Sequence, residues 1–258
     1  MTDAEVFDTA LRAWLDWQDA PWGRVRYAVV AANLARHLPS RPLRIADIGG
    51  GTGADTIRLA GQGHAITLFD YSAAMLAEAE RRFGAAGLAD RLTVVQADAE
   101  AVPAVLEAHA YDLALCHNVL PYVADAARLL ADCAGVVRPG GLLSVTSTNA
   151  DSEVLRAALH DQDLVAACAA IGTTQAHTTL FDTPVARHTP AAVIELLERV
   201  GARVVGHYGV RTICDYLSDD ARKSDPTFYA ELERIELALA DRMPYPWIAR
   251  MFHLVARV

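Results

Sequence analysis

The sequence predicts an α/β fold, a mostly parallel sheet carrying helices on both faces, and three observations predict it. Apolar runs of strand length alternate with stretches of helical period from Leu43 to about Thr148. The first of those runs, Leu43 to Ile48, leads straight into Gly49-Gly-Gly-Thr-Gly53, after which a helix is expected from Ala54. Hydrophobic residues make up 53% of the 258 residues, enough to cover both faces of one such sheet in a single domain over 1–258.

Each element follows in order. Residues 1–40 read as an N-terminal helical cap: Val6, Ala10, Leu11, Trp14, Leu15 and Gln18 have helical spacing, and Pro21-Trp22-Gly23 is expected to break it. Arg24 to His37 resumes the period, with Val25, Val29, Ala32 and Leu34 as an apolar stripe. After the glycine turn, His64 to Phe69 gives a second strand ending in Asp70. Leu92 to Gln96 gives a third, followed by Ala97-Asp98-Ala99-Glu100. Tyr111 to Cys116 gives a fourth and delivers His117-Asn118 to the same edge. Val136-Val-Arg-Pro-Gly-Gly-Leu-Leu-Ser144 stops a helix, turns on Pro-Gly-Gly and begins a fifth strand.

Residues 149–188 are the least regular, with short helical stretches at Glu153 to Leu159 and Leu164 to Ala170, then Gly172-Thr-Thr and Thr178-Thr-Leu-Phe-Asp182. Placed after the fifth strand, they are expected to overhang the ligand edge as a lid. Thr189 is a good N-cap, Pro190 fits N1, Ala191 to Val200 is helical, Gly201 ends the helix, and Arg203 to Tyr208 is a sixth strand. Asp225-Pro226 opens a further helix with Phe228, Leu232, Ile235 and Leu239 on one face, and Phe252 to Ala256 closes the sheet as an antiparallel strand.

Composition narrows the function classes. The net charge is −9 and Lys223 is the sole lysine, a balance poorly suited to gripping nucleic-acid phosphates. No apolar run approaches the roughly 18 residues of a membrane span. Asp3, Glu5 and Asp8 stand where a secretion signal would carry basic residues, so a cytoplasmic location is expected. Cys116, Cys133, Cys168 and Cys214 form no C-x-x-C pair, so neither a metal site nor a disulfide framework is expected.

The chemistry starts at the glycine turn. Glycines at 49, 51 and 53 allow positive φ and bare a backbone against which a nucleotide-like cofactor can lie. The looser dinucleotide fingerprint accepts Ala54, so NAD is not excluded by the turn alone, whereas a phosphate-binding P-loop would need a Lys-Ser/Thr pair that is missing. Asp47, two residues before the first glycine, can fix the loop backbone or approach a cationic amine, which a pyrophosphate would not favour. The pattern Asp47-x-Gly49-x-Gly51-x-Gly53 resembles the first motif of class I S-adenosylmethionine (SAM) methyltransferases. The Asp70, Asp98, His117 and Pro139-Gly-Gly landmarks follow in that family's order and demote NAD to a remote alternative.

The resemblance implies a Rossmann-like fold with a seven-stranded, mostly parallel sheet, and SAM as cofactor with S-adenosylhomocysteine as product. It implies cofactor contacts from Gly49, Gly50, Gly51 and Asp47, ribose hydroxyls on Asp70, and adenine between Tyr71 and Met75. Asp98 and Ala99 would meet the adenine amine, Asp98 alternatively capping the helix that follows.

Over nearly its whole length the chain further resembles the bacterial tRNA 5-carboxymethoxyuridine methyltransferase family. Gly23-Arg-Val-Arg26, His117-Asn-Val-Leu-Pro-Tyr-Val123 and Gly209-Val-Arg-Thr-Ile-Cys-Asp-Tyr216 carry that resemblance. It implies that Arg26 and His117 meet the methionine portion of SAM, and that Arg211, Asp215 and Tyr216 serve the acceptor. An Arg211–Asp215 ion pair is the structural alternative. Tyr122, His160, Arg187, His188 and Tyr245 are conceivable pocket residues without a motif behind them.

Between His160 and Pro190 the only Lys or Arg is Arg187, beside Asp161, Asp163 and Asp182. A small molecule or modified nucleoside is therefore expected as acceptor ahead of tRNA, with methylation of a carboxylate or hydroxyl oxygen. A carboxylate is already ionised and needs no base, whereas a hydroxyl would need one, with His117 or His188 the candidates. A non-catalytic SAM-binding protein is the remote alternative from another class.

Overall fold

The computed structural model of the protein describes residues 3–178 and 180–258, with side chains from residue 10 onward. Met1, Thr2, the side chain of Val6, and Thr179 within the expected Thr178–Asp182 stretch lie outside the described residues. The first half runs α1 (Asp3–Asp19), α2 (Pro21–Ala35), β1 (Arg44–Ile48), α3 (Ile57–Gly61), β2 (Ala65–Asp70), α4 (Ala73–Ala85), β3 (Leu92–Gln96), α5 (Val102–Val105), β4 (Tyr111–His117) and α6 (Ala126–Val136). Then come β5 (Val137–Thr148), α7 (Ser152–Leu155), a π turn at Arg156–His160, α8 (Leu164–Ala170), β6 (Gln175–Thr178) and β7 (Thr183–Ala186). The chain ends with α9 (Pro190–Arg199), β8 (Arg203–Val210), α10 (Asp220–Lys223), α11 (Pro226–Leu239), α12 (Tyr245–Ile248) and β9 (Met251–Arg257).

Seven strands form one sheet in the order β3-β2-β1-β4-β5-β9-β8. β1 pairs in parallel with both β2 and β4, while β9 runs antiparallel between β5 and β8. Strand order therefore reverses beside β1, and a crevice opens there at the carboxyl ends of the strands. This is a Rossmann-like fold, a seven-stranded, mostly parallel sheet with helices on both faces.

Strand alternation sends successive residues to opposite faces. Ala46, Ile48, Ala114, Cys116, Leu143 and Val145 pack under α6 and α9, while Ile45, Leu113, Leu115 and Leu142 pack on the face that receives Leu34 of α2 and Phe83 of α4. Full burial of each such large aliphatic or aromatic side chain contributes about 1.5–3 kcal/mol. A third cluster ties Val25, Val29 and Val30 of α2 to Tyr229 and Leu232 of α11.

The structure corrects several local expectations. The expected break between α1 and α2 falls at Ala20, so Pro21 to Gly23 already belong to α2, and Gly23 is needed because a Cβ there would lie 2.3 Å from the Trp17 carbonyl oxygen. The helix after the glycine turn starts at Ile57 rather than Ala54. Residues 54–56 are held as turns, with the Thr56 hydroxyl donating to Asp47 Oδ2 at 2.9 Å. On α11 the buried positions are Tyr229, Leu232 and Glu236, while Ile235 is exposed. Glu236 is tolerated there because it accepts the backbone N–H groups of Thr212, Ile213 and Cys214 at 2.7–2.8 Å.

Residues 149–188 hold more order than their sequence suggests. Beyond the short helices they contain a β6–β7 hairpin, paired from Gln175↔Ala186 to Thr178↔Thr183. β7 packs on the turn at Leu120–Tyr122, and the π turn packs on the turn at Cys214–Tyr216. The expected caps are present at α9 and α11, where Thr189 and Asp225 accept backbone N–H groups, and α4 is capped by Ser72, which was not expected from the sequence.

Candidate functional site

A cleft of about 820 Å³ lies over the carboxyl ends of β1, β2 and β4, within the size range of small-molecule sites. A smaller cavity of about 400 Å³ adjoins it, and Gly49, Asp70, Tyr71, Val119 and Tyr122 line both.

The glycine turn forms the floor. Gly49, Gly51 and Gly53 adopt φ of +67°, +53° and +70°, which side chains other than glycine's adopt only with strain. A Cβ on Gly49 would meet Val119 Cγ2 at 2.5 Å, and one on Gly53 would meet Phe83 at 2.8 Å, whereas one on Gly51 would meet nothing within 4 Å. Gly51 is thus the position where bare backbone faces open space. Its N–H donates to Asp70 Oδ2 and the Ser72 N–H donates to Asp70 Oδ1, each at 2.9 Å, so Asp70 ties the tip of β2 to the turn. Gln18 anchors α1 to the same turn through the Thr52 hydroxyl at 2.9 Å.

Asp47 is fully buried beneath Gly50, whose Cβ would come within 2.5 Å of its carboxyl. Burial and the neighbouring Asp55 charge push its pKa up to about 7. Asp55 itself was not expected from the sequence. Arg26 Nη1 donates to both of its oxygens at 2.7 Å, and His117 Nδ1 lies 3.1 Å from Oδ2 in a bent contact. Burial alone would raise the Asp55 pKa, but Arg26 and then His117 outweigh it and hold the carboxyl well below its ordinary range. Burial likewise works against the Arg26 charge, and Asp55 overcomes it. The signal for Asp55 was present but unread, an acid two residues beyond the third glycine of the motif.

Tyr71 and Met75 line the large cleft, and Asp98 and Ala99 line the smaller cavity. Asp98 is exposed and its Oδ1 caps the 3-10 turn that follows, accepting the Glu100 N–H at 2.9 Å.

The far end of the cleft has opposite charge. Arg156, Arg187, Arg211 and Arg250 converge there on Glu153 and Asp215. Glu153 pairs with Arg156 at 2.9 Å, Arg250 at 2.6 Å and Arg187 at 3.2 Å. Although burial opposes it, these arginines bring the Glu153 pKa down to about 2. Burial lowers the Arg187 pKa against the pull of Glu153, and the charges of Arg250 and Arg156 lower it further. Arg156 also engages Asp161 at 2.8 Å. The expected Arg211–Asp215 pair forms, with Arg211 Nε 2.7 Å from Asp215 Oδ2. Arg250 and the Glu153–Arg156 pair went unread in the sequence because they lie in two segments that meet only in the fold.

Tyr216 does not join this group. Its hydroxyl donates to the Ile248 carbonyl, and it lies outside the residues lining the cleft. His188 (3.4 Å from the Leu120 carbonyl), His160 and Tyr245 also lie outside that lining, while Tyr122 and Arg187 belong to it. Between the two ends stands an aromatic wall. Trp14 and Trp17 stack with centroids 5.0 Å apart, and Phe181 of the β6–β7 connection sits between Trp14 and Tyr122 at 5.8 and 5.9 Å.

The arrangement suits an adenosine-bearing cation. Open backbone at Gly51 meets the carboxylate of Asp70 at the tip of β2, and three acids face a single arginine at the glycine end. No helix among the described residues is long and apolar enough to cross a membrane. Residues 46–145 match the methyltransferase domain family. The tRNA 5-carboxymethoxyuridine methyltransferase of Escherichia coli strain K12 is 33% identical over 239 residues, which cover 91% of this chain and 88% of the relative. Among solved structures, a SAM-dependent methyltransferase of Thermotoga maritima matches with a TM-score of 0.64 at 15% identity over 98% of both chains. Another from Mesorhizobium loti matches with 0.61 at 22% identity over 87% of this chain and 95% of its own. At these identities the two solved structures speak for the fold. The chain belongs to the S-adenosylmethionine-dependent methyltransferases, in the family of the tRNA 5-carboxymethoxyuridine methyltransferase.

Proposed function

We propose that this methyltransferase esterifies a carboxylate oxygen of a small acid or modified nucleoside that carries a planar ring. The observation behind this reading is the polarity of the cleft, with Asp47, Asp55 and Asp70 against Arg26 at the glycine end and Arg156, Arg187, Arg211 and Arg250 against Glu153 and Asp215 at the other. The acidic end suits a sulfonium and an ammonium, and the basic end suits an anion. When bound, SAM supplies a methyl group already activated on sulfur.

The protein's own part is to hold and orient. Asp70 takes the ribose hydroxyls, Tyr71 and Met75 flank the adenine, Asp98 and Ala99 border its amine, and Gly49, Gly50 and Gly51 give backbone contact. Arg26 has Nη1 committed to Asp55, leaving Nη2 and Nε for a methionine carboxylate. Arg187 and Arg250 orient the acceptor carboxylate, Arg211 is steadied by Asp215, and Trp14, Trp17 and Phe181 stack on its ring and exclude water. Residues 149–188 act as the lid that brings these groups over the acceptor. An ionised carboxylate needs no general base. This accords with a cleft whose described histidines are His117, tied into a buried network, and His177, paired with Asp182 at 2.7 Å.

A second reading places the carboxylate on tRNA, and the Escherichia coli relative, named for 5-carboxymethoxyuridine in tRNA, favours it. Against it stand the net charge of −9 and an outer lid surface that exposes Leu159, Leu164, Val165 and Ile171. The test is transfer of labelled methyl from SAM to three acceptors: free carboxylated nucleosides, small aromatic acids, and tRNA bearing 5-carboxymethoxyuridine. Base-labile label on either free acceptor supports the first reading. Label on tRNA alone, falling steeply with salt, establishes the second. Base-stable label on all three removes the carboxylate.

A further inference from the structure

Behind the cleft wall, on the α2 face of the sheet, a buried polar chain leads inward from His117, which itself lines the cleft. His117 Nε2 and His253 Nε2 each lie 2.8 Å from the Ser144 hydroxyl. The three side chains come from β4, β5 and β9, and their residues are buried. The histidine rings meet edge-on with centroids 5.7 Å apart.

We infer that Ser144 and His253 hold His117 as the neutral tautomer with its proton on Nδ1. The argument is one of hydrogen-bond direction. Asp55 is an ionised carboxylate paired with Arg26, so the His117 Nδ1 facing it at 3.1 Å, close but not aligned as a hydrogen bond, carries a proton rather than a lone pair. Neutral His117 then offers a lone pair at Nε2, and the serine hydroxyl donates its single proton there. Ser144 Oγ has acceptor capacity left, so His253 donates from Nε2. His253 Nδ1, buried and without a hydrogen-bond partner among the described residues, is left bare. Burial holds the His253 pKa well below its ordinary value, which agrees with a neutral ring.

A second proton on His117 reverses this order. His117 Nε2 becomes a donor to Ser144, which either accepts from both rings and strands its own hydroxyl proton, or donates to His253 Nε2 and sends the His253 proton to Nδ1. Either way one proton has no acceptor among the described residues in a buried site. His253 is thus a positioning residue, acting on His117 through Ser144. The groups facing the chain are Asp55 from the glycine turn, Arg26 from α2 and, behind His253, Tyr208 of β8, whose hydroxyl lies 2.6 Å from His37 Nε2. The consequence concerns charge. A neutral His117 adds no second positive charge beside Arg26 where a cationic cofactor must bind, so discrimination between SAM and its uncharged-sulfur product is preserved.

The direct test is nitrogen-15 NMR of the imidazoles in the unliganded wild-type protein at pH 7. Opposite tautomers are expected, proton-bearing Nδ1 in His117 and proton-bearing Nε2 in His253. Matching tautomers, or a doubly protonated His117, overturn the inference. Ser144→Ala, with folding checked by thermal melting, supplies the second test. The lock predicts a larger doubly protonated share of His117 at pH 7. It also predicts that affinity for SAM relative to S-adenosylhomocysteine falls by about tenfold, the scale of one uncompensated buried polar group. If Ser144 is merely a good acceptor for a charged His117, the variant lowers that share and leaves the affinity ratio unchanged, and the inference fails.

Discussion

Arg26 and Asp55, 29 residues apart in the chain, form a buried ion pair in which Arg26 Nη1 reaches both carboxylate oxygens at 2.7 Å. α2 and the glycine turn are locked together by this pair at the end of the cleft where the cofactor's amino-acid portion is proposed to lie. Removing one partner strands the other charge away from water, a loss of about 3–5 kcal/mol. Arg26→Met should therefore lower stability by that order, and Arg26→Met with Asp55→Asn should recover part of it. Urea unfolding measures stability, and calorimetric titration with SAM measures affinity. Affinity that returns along with stability in the double variant would make the pair structural only.

Asp47 gives the fold a dependence on pH. Its pKa rises from the ordinary 3.8 to about 7 on folding, so the native state binds a proton that the unfolded chain releases between those values. Its contribution is present below pH 4 and is lost as pH rises toward 7. Asp55 acts in the opposite direction and at lower pH, its contribution disappearing as pH falls below about 4. Asp47→Asn, which mimics the protonated acid under Thr56, should flatten the decline between pH 4 and 7. It should also raise the melting temperature at pH 8 more than at pH 5, as melting curves at the two pH values would reveal.

Gly49 and Gly51 share positive φ but differ in surroundings. Gly49→Ala drives a Cβ to 2.5 Å from Val119 Cγ2 and should cost more stability than Gly51→Ala, whose Cβ has open space. The backbone strain common to both is about 1–2 kcal/mol. Val119→Ala should relieve part of the Gly49→Ala loss and none of the Gly51→Ala loss, as denaturant midpoints would report. Gly51→Ala should instead act chiefly on SAM affinity.

Asp70 uses one carboxylate oxygen on the Gly51 N–H and the other on the Ser72 N–H. Asp70→Ala removes the proposed ribose acceptor and loosens the turn, so SAM affinity should drop by about tenfold or more. An unchanged dissociation constant by calorimetry would remove Asp70 from the binding site.

Arg250 and Arg187 share Glu153, whereas Arg211 is neutralised by Asp215. Arg250→Ala and Arg187→Ala should raise the KM for a carboxylate acceptor by about tenfold while leaving SAM affinity nearly intact. Arg211→Ala should leave SAM affinity intact and lower turnover. Kinetics at saturating SAM separate these outcomes, and normal turnover for Arg211→Ala would take it out of the acceptor site.

Much of this architecture is written in contiguous residues. Alternation in Ile45, Ala46, Asp47 and Ile48, the glycines at 49, 51 and 53, and the apolar run ending at Asp70 specify strand, turn and strand tip through local φ preferences and side-chain period. Caps at Thr189 and Asp225 were equally legible, because a cap and its N–H partner lie three residues apart. Helix faces were less so: Phe228 and Ile235 have the right period, yet the buried side of α11 is the one holding Glu236, chosen by the N–H groups of a distant turn.

By itself, then, the sequence determined the strand succession, the glycine floor and the acid at the tip of β2, since each depends on neighbours within a few residues. Only the tertiary structure decided that Asp55 neutralises Arg26, that Arg250 meets Glu153 across 97 positions, and that Tyr216 turns away to the Ile248 carbonyl. The physical reason is that charge pairing and burial depend on distance in space. That distance is set by the order β3-β2-β1-β4-β5-β9-β8, which brings remote segments to one edge of the sheet.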